Sequence, residues 1–371
     1  MLANSRSDDL GLFVPAASIA LGSAELDMRE AYSLVFTQLE IDLQLSVSGQ
    51  FRFTIPDVFD LERREFLTPS KQPLLPLLAL GTRVWVFMGY GDSKKQVLLM
   101  SGFITAVGTG FAEGASPELE VSGTDATYLL TLGTSEHRFE NKSVQDAVAE
   151  VARQAGMRLV FDGTPPAGIT LDNNLQTDLE FIGKMAQNFS TPEKKWEFYA
   201  RATRSGDQLH FGPRRKDAAP VCELAREIDL LSFKPEANLG NQVAKVEVLG
   251  WDEVRKQKIL GTATRPGGQG SSGGDLQRRA FGREAVLQLR YPVKTQAEAD
   301  QRAAAELATR ANNLVKGEGE TLGFPDLLPD TNVRLAGLGA QFSQTYYVTK
   351  TVHRFDSSGY RTRFSVERAV A

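Results

Sequence analysis

The clearest regularity in the chain is a run of strict alternation. Leu39, Ile41, Leu43, Leu45 and Val47 are separated by Glu40, Asp42, Gln44 and Ser46. After Ser48-Gly49-Gln50 the alternation resumes with Phe51, Phe53 and Ile55, up to Pro56. Period-two patterning places every second side chain on one face, so the stretch predicts a long hairpin with one apolar and one polar face. A strand is also predicted near residues 18–21, and others at 83–88, 97–107 and 119–121, beyond a Pro- and Leu-bearing connection at 57–80. Together they predict an antiparallel sheet over residues 1–134 that curls toward a barrel.

The pattern recurs near the C-terminus. Gly81-Thr82-Arg83-Val84-Trp85-Val86 is echoed by Asp330-Thr331-Asn332-Val333-Arg334-Leu335. An apolar strand follows each, at residues 103–107 and 348–352, and then a third, Leu119-Glu120-Val121 and Phe364-Ser365-Val366. The step from Val107 to Val121 is 14 residues, as is the step from Val352 to Val366. Repetition of a supersecondary unit predicts a duplicated β module, which serves assembly geometry more readily than chemistry.

The middle of the chain changes period. Ser143-Val144-Gln145-Asp146 resembles a capping box and opens a helical stripe of Ala147, Val148, Val151 and Ala152, stopped by Gly156. A short strand at 158–161 follows. Thr177-Asp178-Leu179-Glu180 opens a second helix, and residues 196–200 and 208–211 read as a hairpin around Ser205-Gly206. Residues 135–222 therefore predict a small α+β domain, and residues 223–371 a second β domain. Within the latter, strands are expected at 244–248, 258–260 and 285–289. Residues 264–275 are Gly/Ser-rich and predict a flexible loop. Thr295-Gln296-Ala297-Glu298 predicts a helix over 296–315, ended by Gly317.

Composition narrows the function classes. A chain of 371 residues exceeds one ordinary core, so two to four domains are expected. Its net charge of −4 implies no broad cationic surface, so no nucleic-acid binding is expected. The basic run Arg214-Arg215-Lys216 reads as a solvated loop. Cys222 stands alone, which rules out a disulfide or a cysteine metal cluster within the chain. No secretory signal pattern is read at the N-terminus, and no membrane segment is expected, because the greasiest stretch, 74–80, is short and holds Pro76. His137, His210 and His353 are scattered without metal-ligand spacing, and His353 reads as a packing or surface histidine. No nucleophile elbow or P-loop is present, and Gly267-Gly268-Gln269-Gly270 does not lie between a strand and a helix. Hence no catalytic, metal or cofactor residue is expected and the chain reads as a non-enzyme, although a carboxylate pair in a cleft is legible only in three dimensions.

The closing stretch carries a family resemblance. Gly323-Phe324-Pro325-Asp326, Leu328-Pro329-Asp330, Val333-Arg334-Leu335, Tyr346-Tyr347-Val348-Thr349-Lys350, His353-Arg354-Phe355-Asp356 and Gly359-Tyr360-Arg361-Thr362 occur in that order. With Val246-Glu247-Val248-Leu249-Gly250-Trp251-Asp252, and Gln176 to Ile182 followed by Leu209-His210-Phe211-Gly212-Pro213, they resemble the tail hub family of contractile phage tails, also called late control protein D. The same architecture forms the N-terminal part of type VI secretion spike proteins. The resemblance covers roughly residues 30–371, with Pro329-Asp330 where the family often shows Pro-Gly.

The resemblance implies a mainly β fold with α+β insertions: two tube-like antiparallel β-barrel domains, at 1–134 and 223–371, and a small α+β domain at 135–222. It implies a homotrimer acting as a baseplate hub, a symmetry adapter joining a six-fold tail tube above to a three-fold spike below, with baseplate wedge proteins around it. The chain ends five residues after Val366, so the spike is expected to be a separate protein. The expected location is a virion tail baseplate or an extracellular injection particle, made and assembled in the bacterial cytoplasm. Glu40, Asp42 and Gln44 become candidates for an acidic lumen surface. The ends of the barrel strands, the 74–80 loop and the 296–315 helix become candidate contact surfaces. Two alternatives stay open: a cell-wall-binding module in the middle domain, around Trp196 and Tyr199, and a peptidoglycan-degrading tail component.

Overall fold

The computed structural model describes residues 14–368, apart from 92–94, 112, 115, 140–141, 165–171, 192–193, 241, 253–255, 265–271, 294 and 312–313. The fold is mainly β with α+β additions. One continuous sheet runs through both β modules. Its order is Leu230–Ala237, Val315–Leu322, Gly359–Arg368, Thr345–Asp356, Gln38–Gln44, Gln50–Ile55, Leu119–Asp125, Val97–Thr109, Arg83–Tyr90 and Pro15–Leu21. Asn332–Ala336 pairs with the start of Thr345–Asp356, and Cys222–Ala225 lies parallel to it.

The predicted hairpin forms, with Leu39, Ile41, Phe51, Phe53 and Ile55 buried in the core of the first module; its first strand ends at Gln44, so the turn begins earlier than the alternation through Val47 implied, with Ser46 at positive φ and Val47 exposed. Its first strand is also the junction between modules. Leu39, Ile41 and Leu43 lie opposite Phe355, His353 and Thr351. Each large apolar side chain buried there is worth about 2 kcal/mol.

The duplication is visible in the backbone. Gly81 and Asp330 both adopt positive φ, 87° and 65°. Gly81 N–H donates to Ile104 O (2.8 Å) and Ile104 N–H to Thr82 O (2.9 Å). Asp330 N–H donates to Val348 O (3.1 Å) and Val348 N–H to Thr331 O (2.8 Å). One residue further on, each long strand carries a bulge, at Thr105 and at Thr349. The structural repeat therefore matches Ile104 to Val348 and their partners Gly123 to Val366. The sequence echo had set Phe103 against Val348 and Val121 against Val366. Alternation is nearly blind to small slips, and only the turn and bulge hydrogen bonds fix the register.

Among the strands that the sequence reading does not contain are Cys222–Ala225, Leu230–Ala237 and Val315–Leu322. Val315, Gly317 and Gly319 alternate inward, and a Cβ on Gly317 or Gly319 would collide with the ring of Phe233 or Phe364. The helix predicted over 296–315 consequently stops at Ala311, as Gln296–Ala311.

Two smaller units attach to the sheet. Helices Val144–Gln154 and Asp178–Phe189 pack with the three-stranded sheet of Arg158–Phe161, Gly206–Pro213 and Trp196–Thr203. Trp196 sits inside this core against the rings of Phe161, Phe189 and Phe211. Within residues 223–371, strands Lys245–Asp252, Gln257–Thr264 and Val286–Arg290 form their own sheet, and helix Gln296–Ala311 covers it. Gly261 allows that helix to approach: a Cβ there would lie 2.2 Å from the Ala299 carbonyl carbon. The loop expected at 264–275 lies mostly outside the described residues, but Ser272 and Asp275 form a capping box that starts helix Gly273–Phe281. Gly273 and Gly274 press against Gln242 and Ala244, so these glycines serve packing rather than looseness.

Candidate interaction surfaces

Glu40, Asp42 and Gln44 lie together on the polar face of the continuous sheet, at the junction between modules. Glu40 is opposite Arg52 on one side and Arg354 on the other. Asp42 pairs with Lys350 at 2.6 Å. The acidic character does not extend across the face. Beyond the junction the second module carries Lys350, Arg354, Arg361 and Arg363, with Glu320 accepting from Arg361 (3.4 Å) and Arg363 (3.5 Å). A recess of about 460 Å³ opens there, lined by Lys234, Glu318, Glu320, Lys350 and Arg363 among others. The face thus joins an acidic sector to a basic one, with an ion pair across the boundary.

A second cluster fastens the small α+β domain to the sheet. Arg214, expected in a solvated loop, is buried. It donates to Glu197 Oε1 through Nη2 (2.7 Å) and Nε (3.0 Å), and to Glu367 Oε2 through Nη1 (2.8 Å). Its guanidinium stacks over the Tyr347 ring at 4.8 Å. Burial alone would raise the Glu197 pKa, but the charges of Arg214 and Lys195 outweigh it and hold the carboxyl below its ordinary value. At the other end of the contact Arg83 and Ser101 donate to the two oxygens of the Asp207 carboxylate. The run Arg214-Arg215-Lys216 looked solvated because its partners are distant in sequence.

Asp330 joins these contacts. Its carboxylate accepts from Tyr199 (2.9 Å) and Tyr347 (2.7 Å) and pairs with Arg215 at 3.0 Å. Burial, then the Asp330 charge, pushes the Tyr199 hydroxyl up to about 12. Asp tolerates the left-handed region better than most residues, so at this positive-φ turn position Asp330 adds a side chain with three partners.

Strands far apart in the chain carry the three histidines. His137 lies on strand Ser135–Arg138, His210 stacks on Tyr199 at 4.8 Å, and His353 is fully buried. His353 Nδ1 is 2.8 Å from Tyr360 Oη, and burial lowers its pKa to about 3. Among the described residues no group of three or more His, Cys, Asp or Glu is placed to hold a metal. None of their helices is long and apolar enough to cross a membrane. In the 74–80 segment, Leu74 and Leu78 are buried while Leu75 and Leu80 are exposed.

The fold is shared with proteins of phage tails. A tail protein from Neisseria meningitidis MC58 superposes with a TM-score of 0.66 at 14% identity, over 96% of this chain and 97% of that one. The 43 kDa tail protein of prophage MuSo2 from Shewanella oneidensis gives 0.70 at 14%, over 96% and 98%. A component of the type VI secretion system of E. coli gives 0.55 at 12%, over 94% and 76%. By sequence, the family described as the Alg8 N-terminal domain matches residues 37–357, and the chain belongs to that family. No curated protein matches it.

Two outcomes follow from the buried groups. Asp330→Ala is expected to destabilise more than Asp330→Gly, by about 1 kcal/mol, because both lose the same partners but only alanine strains at positive φ; urea denaturation of the two variants measures the difference. His353 gives a pH signature. Its folded pKa near 3 lies below the ordinary 6.5, so the unfolded chain binds more protons between those values. Stability from this group is complete above pH 6.5 and falls as pH drops. Asp125 opposes it: burial raises its pKa to about 6, so its contribution is lost as pH rises from about 4 to 6. Between pH 6 and 4.5 the two contributions offset each other, so His353→Asn should shift the stability–pH slope by up to about 1.4 kcal/mol per unit and leave a chain that gains stability as pH falls, read from urea denaturation at each pH.

Proposed function

We propose that the protein is a structural baseplate hub of a contractile phage tail or phage-like contractile injection system. In this reading it is a homotrimeric symmetry adapter joining a six-fold tail tube to a three-fold spike. The carrying observation is the internal duplication: two modules with matching turns, bulges and strand order, joined edge to edge in one sheet. A ring of three such chains presents six similar modules on one side while keeping three-fold symmetry on the other, through closed heterologous contacts. The likeness to tail proteins of two bacteria supports the same reading.

The partners are a separate spike protein below, the tail tube protein above and wedge proteins around. The particle is a virion tail baseplate or an extracellular injection device, assembled in the bacterial cytoplasm. The polar face with Glu40, Asp42 and Gln44 lines the channel, where alternating acidic and basic sectors favour wetting over tight binding of any one cargo. The role is mechanical, without turnover.

Native mass measurement of the 40.7 kDa chain, alone and with the spike protein of the same particle, is expected to show three hub copies in at least one sample. A strict monomer in both, or a zone of clearing in a peptidoglycan zymogram, would return the reading to a cell-wall-binding or cell-wall-degrading component. Glu40→Lys combined with Asp42→Lys sets like charges beside Lys350 and is expected to reduce particle assembly or passage of cargo roughly ten-fold. Unchanged assembly and passage would remove these residues from the lumen.

A further inference from the structure

Each module has one long strand whose first half is paired by its own turn segment and whose second half needs another partner. In the second module that strand is Thr345–Asp356. Past the bulge at Thr349, residues 350–355 are paired by Gln38–Gln44 of the first module. In the first module the equivalent strand is Val97–Thr109. Past its bulge at Thr105 it has Leu119–Asp125 on one side and, among the described residues, no strand on the other. The strand equivalent to Gln38–Gln44 is Leu230–Ala237, which pairs on one side with Val315–Leu322 and ends the sheet. The molecule thus carries, unpaired, both halves of a junction that it already makes once internally.

We infer that Leu230–Ala237 of one copy pairs antiparallel with residues 105–111 of a second copy, in the register of the internal junction; this rests on the hub reading above. The register transfers residue by residue. Internally, Thr351 faces Leu43, Val352 faces Asp42 and His353 faces Ile41. The repeat therefore sets Val107 against Ala237, Gly108 against Glu236 and Thr109 against Pro235 of the neighbour.

The hydrogen-bonding directions agree. Leu45 N–H donates to Thr349 O, so Leu45, Leu43 and Ile41 turn their backbone groups toward the junction. Asn238 N–H donates inward to Leu314 O, so Ala237 and Pro235 turn theirs outward to the open edge. Pro235 has no N–H, so this junction has one ladder bond fewer than the internal one and resists casual edge pairing.

Burial argues the same way. Leu39, Ile41, Thr351 and His353 are at most 1% exposed in the internal junction. Their counterparts Phe233, Pro235, Val107 and Thr109 are half-buried or exposed. Phe111, 67% exposed beside the rings of Phe59 and Phe66, is placed to meet Phe233 of the neighbour. On the polar face, Ala106 and Gly108 leave room for Asn238 and Glu236.

The test is a cysteine pair. In a Cys222→Ser background, Gly108→Cys with Glu236→Cys occupies a non-hydrogen-bonded cross-strand position, where Cα atoms approach closely enough for a disulfide. Both sites are exposed, and a Cβ at Gly108 meets nothing within 4 Å. Oxidised together with the spike protein, the variant is expected to form covalent hub dimers and trimers on a non-reducing gel. Gly108→Cys with Pro235→Cys, one residue out of register, should cross-link roughly ten-fold less. Asp42→Cys with Val352→Cys, the equivalent internal pair, is the control that closes within one chain. If native mass shows three hub copies and the control closes but the 108–236 pair does not, the junction is overturned while the hub reading stands. If no hub oligomer forms in any sample, the hub reading falls and the junction with it.

Discussion

Strands Gln38–Gln44 and Thr345–Asp356 come from opposite ends of the chain, and their pairing makes one sheet out of two modules. It sets the angle between the modules, buries Leu39, Ile41 and His353, and places Asp42 beside Lys350. Closing so large a loop costs chain entropy before any contact rewards it. The return is a continuous ladder and a shared apolar layer, to which Tyr360 of the second module contributes from inside the first module's core. The two small α+β units attach to this frame and neither extends its sheet.

What holds the unit of helices Val144–Gln154 and Asp178–Phe189 and their three-stranded sheet to the frame is of another kind. Its core is apolar and takes in Ala126 and Leu130 from the segment that leaves the first module, and polar contacts complete its orientation. Buried Arg214 between Glu197 and Glu367, and Asp207 held by Arg83 and Ser101, supply them. Such pairs gain little net stability after desolvation, but a misplaced domain would leave buried charges uncompensated, so they exclude alternatives. Asp330 lies where the turn of the second module, the Tyr347 strand and the small domain meet, and its carboxylate serves all three.

These features describe a sheet frame with polar and charged contact faces, and among the described residues no group of three or more His, Cys, Asp or Glu is placed to hold a metal. The polar face changes sign at the junction between modules, and the modules repeat. In a ring of copies the junction between copies would set Ala106 and Gly108 against Asn238 and Glu236, so the Asp42–Lys350 ion pair marks the internal junction alone. Strength in such an assembly comes from repeated backbone pairing, and specificity from where the charges fall.

The sequence by itself determined the local elements, because each rests on short-range rules. Alternation from Leu39 to Ile55 dictated the hairpin, and the caps at Ser143, Thr177 and Thr295 dictated three helix starts. It also disclosed the repeat. Tertiary structure alone decided the rest. Val315 to Leu322 carries two glycines and lies just beyond a strong helix, so only the rings of Phe233 and Phe364 above Gly317 and Gly319 reveal it as a strand. The burial of Arg214 depends on Glu367, distant in sequence. The register of the repeat depends on bulges at Thr105 and Thr349, which alternation cannot locate because it counts faces and not residues. Which edges stay open depends on which strands find partners, and pairing between strands far apart in the chain is decided by the whole sheet.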